Sequence, residues 1–130
     1  MFCRVANIFA PFAVIFALAT SAFASEPQAF TPQAFAAAQN AGKPILVAIH
    51  ASWCPTCKAQ KPILSELLGE PKFKDVTYFV VDFDSQKDVV RFFGARMQST
   101  LIAFKGKIET ARSVGDTKPS SIAALLDNTL

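Results

Sequence analysis

A short apolar run, Pro44 to Ile49, leads directly into Trp53-Cys54-Pro55-Thr56-Cys57-Lys58. An apolar stripe at helical spacing follows, carried by Ile63, Leu64, Leu67 and Leu68. A run without polar alternation fits a central strand covered on both faces. The stripe fits a helix packed on one side, with Gly69 to close it and Pro62 to bend it. The two cysteines therefore stand where a buried strand passes into the first turn of a helix. In that turn, unpaired backbone N–H groups and the helix dipole favour a thiolate on Cys54. Cys57 lies one turn deeper on the same face, within reach of the Cys54 sulfur. The arrangement suits thiol–disulfide exchange.

The rest of the chain alternates in the same way. Phe30-Thr31-Pro32 predicts a helix start, with Thr31 as cap, Pro32 at the first position and Phe30 stapled onto Phe35; Gly42 ends it. Val76 to Phe83 predicts a second strand. Ser85 is the expected cap of a helix bearing Val89, Val90 and Phe93, ended by Gly94. Thr100 to Phe104 and Ile108 to Val114 predict a hairpin turning at Lys105-Gly106-Lys107. Ser120 or Thr117 is the expected cap of a last helix carrying Ile122, Leu125 and Leu126. The fold class is α/β, a central mixed β-sheet flanked by helices.

The first 24 residues read as a cleaved secretory signal peptide. Arg4 precedes an apolar stretch from Val5 to Ala19, and Ala22-Phe23-Ala24 offers a small-x-small cleavage site before Ser25. The stretch is short for a membrane span, and Cys3 precedes it, so a lipoprotein anchor is not indicated. Residues 25–130 then form one domain, placed in the periplasm or secreted. Without Arg4 the formal charge of +3 falls to about +2. That balance, with no run of one sign, gives no reason to expect nucleic acid as a partner. Cys54 and Cys57 remain as the only cysteines, in an oxidising compartment. A bridge closing so small a loop would stabilise the fold little, which favours a redox role over a structural one.

From about Phe30 to Leu130 the chain resembles the thioredoxin family. The run from Pro44 through Trp53-Cys54-Pro55-Thr56-Cys57-Lys58 is similar to the family's active-site strand and helix start. Pro62 stands at the family's helix proline, and Phe93-Gly94, Thr100, Phe104 and Gly115 fall at later landmarks. The resemblance implies a thioredoxin-like fold and a thiol:disulfide oxidoreductase working through a Cys54–Cys57 disulfide, with no other cofactor and no metal. It implies Cys54 as exposed nucleophile and Cys57 as buried resolving thiol. Pro55 and Thr56 would tune the potential, with Trp53, Lys58 and Ser99 around them, and Trp53, Gln98, Ser99 and Thr100 would receive substrate. His50, the only histidine, is a candidate modulator of the Cys54 thiol. No dinucleotide fingerprint is present, so electrons must come from outside, as from a membrane thiol-transfer protein of the DsbD type. Disulfide-containing exported proteins are the expected substrates, and a monomer is the expected state.

Three positions depart from the family pattern. The pair between the cysteines is Pro-Thr rather than Gly-Pro, closer to DsbA and glutaredoxin patterns. Ala48 occupies the place of a buried Asp, six residues before the first cysteine. Ser99 occupies the place of the usual cis-proline, and a trans bond in a reshaped loop is the expectation there. There Ser99 is a candidate donor to a thiolate. Two other chemistries stay open: disulfide donation, and Cu(I) binding by the cysteine pair with His50 or Met97 as third ligand. Zinc lacks a second ligand pair. A redox-inactive interaction module is a third reading, against which both retained cysteines argue.

Overall fold

The computed structural model describes residues 25–130. The expected signal peptide, including Cys3 and Arg4, lies outside the described residues. Among the described residues no helix is long and apolar enough to cross a membrane.

The apolar run forms β2 (Pro44–His50) at the centre of a five-stranded sheet, with five consecutive buried residues. It pairs in parallel with β3 (Thr77–Asp82) and antiparallel with β4 (Thr100–Lys105). β5 (Ile108–Val114) forms one edge, antiparallel to β4, and β1 (Gln28–Ala29) forms the other, parallel to β3. The sheet is therefore mixed, with order β1-β3-β2-β4-β5.

Strand alternation divides β2 between two cores. Ile45, Val47 and Ile49 face one layer, built on α1 (Pro32–Asn40) and α3 (Lys87–Phe92). Leu46 and Ala48 face the other, built on α2 (Pro55–Leu68) and α4 (Pro119–Asp127). Phenylalanines dominate the first core. The Phe35 ring centroid lies 5.3 Å from Phe30 and Phe104, 5.4 Å from Phe93 and 5.9 Å from Phe79. Most of these contacts are edge-to-face, the arrangement that ring quadrupoles favour.

Local sequence signals explain most boundaries. Thr31 caps α1 by accepting the Ala34 N–H at 3.2 Å, with Pro32 in the first turn as expected. Gly106 turns the β4–β5 hairpin at φ 58°, a conformation open to glycine at no steric cost. Two caps differ from expectation. Gln86, not Ser85, precedes α3, because the Asp82 carboxylate takes the Ser85 N–H and hydroxyl at 2.8 and 2.9 Å. Lys118, not Thr117 or Ser120, precedes α4, where Asp116 accepts the Lys118 N–H at 2.9 Å and bonds the Ser121 hydroxyl. In both places an upstream aspartate satisfies the turn. Two short elements escaped the pattern: β1, too brief to show periodicity, and a 3-10 turn, Pro71–Phe73, that buries Phe73.

Phe79, on β3, is 1% exposed within the phenylalanine cluster. Phe79→Ala is expected to cost about 3–5 kcal/mol in urea unfolding. A loss below about 1 kcal/mol would mean that the cluster does not carry this core.

Candidate active site

β2 ends at His50, and the chain turns so that the Cys54 N–H donates to the Ala51 carbonyl at 3.2 Å. Cys54 is itself the cap of α2, in extended conformation with Pro55 behind it. Its Sγ accepts the Cys57 N–H at 3.1 Å, the role that a serine or aspartate oxygen fills in an ordinary cap. The structure holds both cysteines as free thiols.

The expected exposure of Cys54 is not observed. Cys54 is 1% exposed and Cys57 3%, with Ala51 packed beside them and Phe83 against the cluster. The cap turns the Cys54 sulfur inward onto its own helix, which hides it. The cover is thin over Cys54 and deeper over Cys57. This difference splits the two thiols. Burial pushes Cys54 up, but hydrogen bonds from the Cys57 thiol and N–H, the Thr56 N–H and the Gln98 carboxamide outweigh it and hold Cys54 below the ordinary 9.0. Burial dominates at Cys57 and, with the neighbouring Cys54 sulfur, pushes it above 9.0. The phenol of buried Tyr78 on β3 is pushed up to about 12, by burial first and then by charge on Cys57.

The loop opposite the cysteines contains Ser99 in the left-handed region, at φ 58°, with a trans bond before it; no described peptide bond is cis. The reshaped trans loop was the expectation, but the left-handed backbone was not, since serine rarely adopts it. Ser99 does not offer its hydroxyl to a thiolate. Its Oγ donates to the Gln98 carbonyl at 2.6 Å. Its N–H donates to Ile49 at 2.7 Å, and its carbonyl accepts from Gly115 N–H at 3.0 Å. Ser99 and Thr100 are both buried, and the Thr100 hydroxyl is taken by the Met97 carbonyl at 2.7 Å. Of the four expected substrate contacts, Ser99 and Thr100 are thus consumed internally, while Trp53 is exposed and Gln98 half-buried.

Trp53 lies at the surface with its Nε1–H on the Asp84 carboxylate at 2.8 Å. Lys58 is exposed, Pro55 likewise, and Thr56 is half-buried. His50 ends β2 opposite Asp82 and helps lower that carboxyl, after the larger effect of the Ser85 N–H and hydroxyl. The groups that chiefly shift Cys54 are its hydrogen-bond partners on α2 and Gln98. Met97 is exposed on the loop before Ser99, and among the described residues no three His, Cys, Asp or Glu side chains gather as a metal site. A cleft of about 540 Å³, lined by His50, Lys61, Tyr78 and Asp82 among others, runs beside α2; neither cysteine lines it.

Two residues escaped sequence reasoning. Asp84 holds Trp53. Gln60, 4% exposed, bridges the Ser99 and Asp116 carbonyls through Nε2 at 3.2 and 2.9 Å. A signal for Gln60 existed: it continues the buried face Cys57, Gln60, Leu64, Leu68, where a polar residue needs partners.

This geometry coincides with a match of the thioredoxin family model to residues 26–128. The chain belongs to the thioredoxin family. Thioredoxin C-2 of Corynebacterium nephridii is 35% identical over 91 residues, 70% of this chain and 83% of that protein. An H-type thioredoxin of Fagopyrum esculentum is 36% identical over 84 residues, 65% of this chain and 71% of that protein. The crystal structure of Trxlp from Edwardsiella tarda aligns with a TM-score of 0.76 at 39% identity, over 78% of this chain and 98% of that one. As a thioredoxin-family member the chain is a thiol:disulfide oxidoreductase, and the family's chemistry requires no cofactor beyond the redox disulfide.

The split between the thiols has a direct consequence. As pH rises, Cys54 ionises before an ordinary thiol and Cys57 after it. Iodoacetamide at about pH 7 is expected to modify Cys54 first by peptide mass spectrometry; preferential labelling of Cys57 would contradict the assignment. The loop gives a second expectation. Ser99→Pro puts a residue restricted to φ near −65° where the backbone is at 58° and removes the N–H to Ile49. It is expected to destabilise the fold by more than about 1 kcal/mol in urea unfolding. Equal or greater stability would show that the loop accepts the usual family residue.

Proposed function

We propose that the chain is an exported disulfide reductase with Cys54 as nucleophile and Cys57 as resolving thiol. The observation that carries this reading is the ordered pair itself: a capping sulfur with a lowered pKa beside a deeper thiol with a raised one. The Cys54 thiolate attacks one sulfur of a substrate disulfide, forming a mixed disulfide and expelling the other sulfur as a thiolate. Cys57 then passes its proton to the substrate thiolate just expelled, or to water, and attacks Cys54 Sγ. The Cys54–Cys57 disulfide forms, the second substrate thiolate leaves, and two electrons have passed from the dithiol to the substrate. An external dithiol must restore the reduced pair, and a membrane thiol-transfer protein of the DsbD type fits that need. Pro55 and Thr56 sit where side chains between the cysteines set the potential. Trp53 and Gln98 form the accessible rim that meets the substrate, since Ser99 and Thr100 are spoken for.

Export rests on the amino-terminal pattern of Arg4, the Val5–Ala19 apolar stretch and Ala22-Phe23-Ala24. Disulfide-containing exported proteins are then the substrates, and the periplasm is the setting. Processing would leave Ser25 as the first residue. Amino-terminal sequencing of the protein from a secreting host is expected to begin there, and recovery of the intact Met1 terminus would overturn the export reading.

The mechanism predicts that Cys54→Ala abolishes turnover of a protein disulfide. Cys57→Ser is expected to accumulate a mixed disulfide through Cys54, visible on non-reducing gels. Equal activity in Cys54→Ala and the unaltered protein would sink the reductase. The Cu(I) reading has less support, because His50, one of its candidate third ligands, stands opposite Asp82 at the end of β2.

A further inference from the structure

Gln60 is the polar residue on the inward face of α2, one turn beyond Cys57. Burying an amide at this point of an apolar stripe costs free energy unless its hydrogen bonds are made. Here they are made to two separate loops. Nε2 donates to the Ser99 carbonyl just before β4 and to the Asp116 carbonyl just after β5. Ser99 is the one described non-glycine residue at positive φ. Such a backbone persists only where its surroundings over-determine it. The main-chain bonds to Ile49 and Gly115 do part of this, and Gln60 supplies the side-chain bond to the same peptide.

The loop so held carries the groups that face the cysteines. The Gln98 carboxamide acts on Cys54 and the Ser99 backbone on Cys57. Ser99 also stands where the family usually has a cis-proline, whose ring stiffens the backbone beside the cysteines. We propose that Gln60 is a positioning residue for the Cys54–Cys57 pair, clamping the Ser99 peptide by hydrogen bonds in the place where a proline ring is usual. This inference rests on the reading of Cys54 and Cys57 as the redox pair.

Gln60→Met tests it, since methionine nearly matches glutamine in length and removes both donors. Thiolate absorbance near 240 nm, followed against pH, reads the cysteines without any substrate. The first thiol midpoint is expected to rise by about half a unit, cutting Cys54 alkylation at neutral pH about threefold. The equilibrium with glutathione should move in the same sense, toward the disulfide form. Leu68→Ala provides the comparison, because it loosens the far end of the same helix without touching the loop. It should lower stability and leave the thiol midpoint in place. Gln60→Asn, one methylene shorter, retains an amide donor and is expected to shift the midpoint less than Gln60→Met; it decides the matter if Gln60→Met fails to fold. An unchanged midpoint in the folded Gln60 variants, or an equal shift in Leu68→Ala, overturns the clamp. Failure of the unaltered protein to cycle between dithiol and disulfide would instead overturn the reading of the site.

Discussion

The bond from the Cys57 N–H to the Cys54 sulfur holds the account together. It makes a thiol the cap of α2, so the helix begins at the group that must ionise. A cap needs an acceptor, and a thiolate is a better acceptor than a thiol, so the helix start stabilises the reactive form. Everything around it serves to deliver that sulfur. β2, buried by β3 and β4, fixes where the helix starts, and the two cores on its faces fix the helix and the opposite loop relative to it.

The stabilisation is moderate in kind. The groups that lower Cys54 are backbone N–H groups, a neighbouring thiol and a carboxamide, all uncharged. No cation is among them: Lys58 is exposed, and His50 faces Asp82. A thiolate held by neutral donors is favoured less than one paired with an imidazolium, which fits the reductase proposed for the pair.

How far the sequence was legible follows from what each signal depends on. The buried strand, the motif helix and the Thr31 cap are local patterns, and they appeared where expected. β1 was invisible because two residues carry no period. The caps of α3 and α4 were misplaced because Asp82 and Asp116, upstream of each helix, satisfy the turns through contacts that spacing does not rank. The cysteines were legible as a pair, but the burial of Cys54 was not, since it depends on the sulfur turning onto its own helix. At position 99 the loss of proline pointed to a trans loop. The left-handed backbone and its tie to Gln60 arise from tertiary contacts, 39 residues apart in sequence. Asp82 as the cross-strand neighbour of His50 was hidden for a similar reason, because position along a strand does not name the residue opposite.

The reduction potential of the Cys54–Cys57 pair, measured on the protein lacking residues 1–24 by equilibration with glutathione, tests this account most directly. A neutral donor set around the sulfur predicts a value near the thioredoxin end, about −270 mV. A value near −120 mV, roughly that of a strong disulfide donor, would contradict it and reverse the direction in which the protein passes electrons.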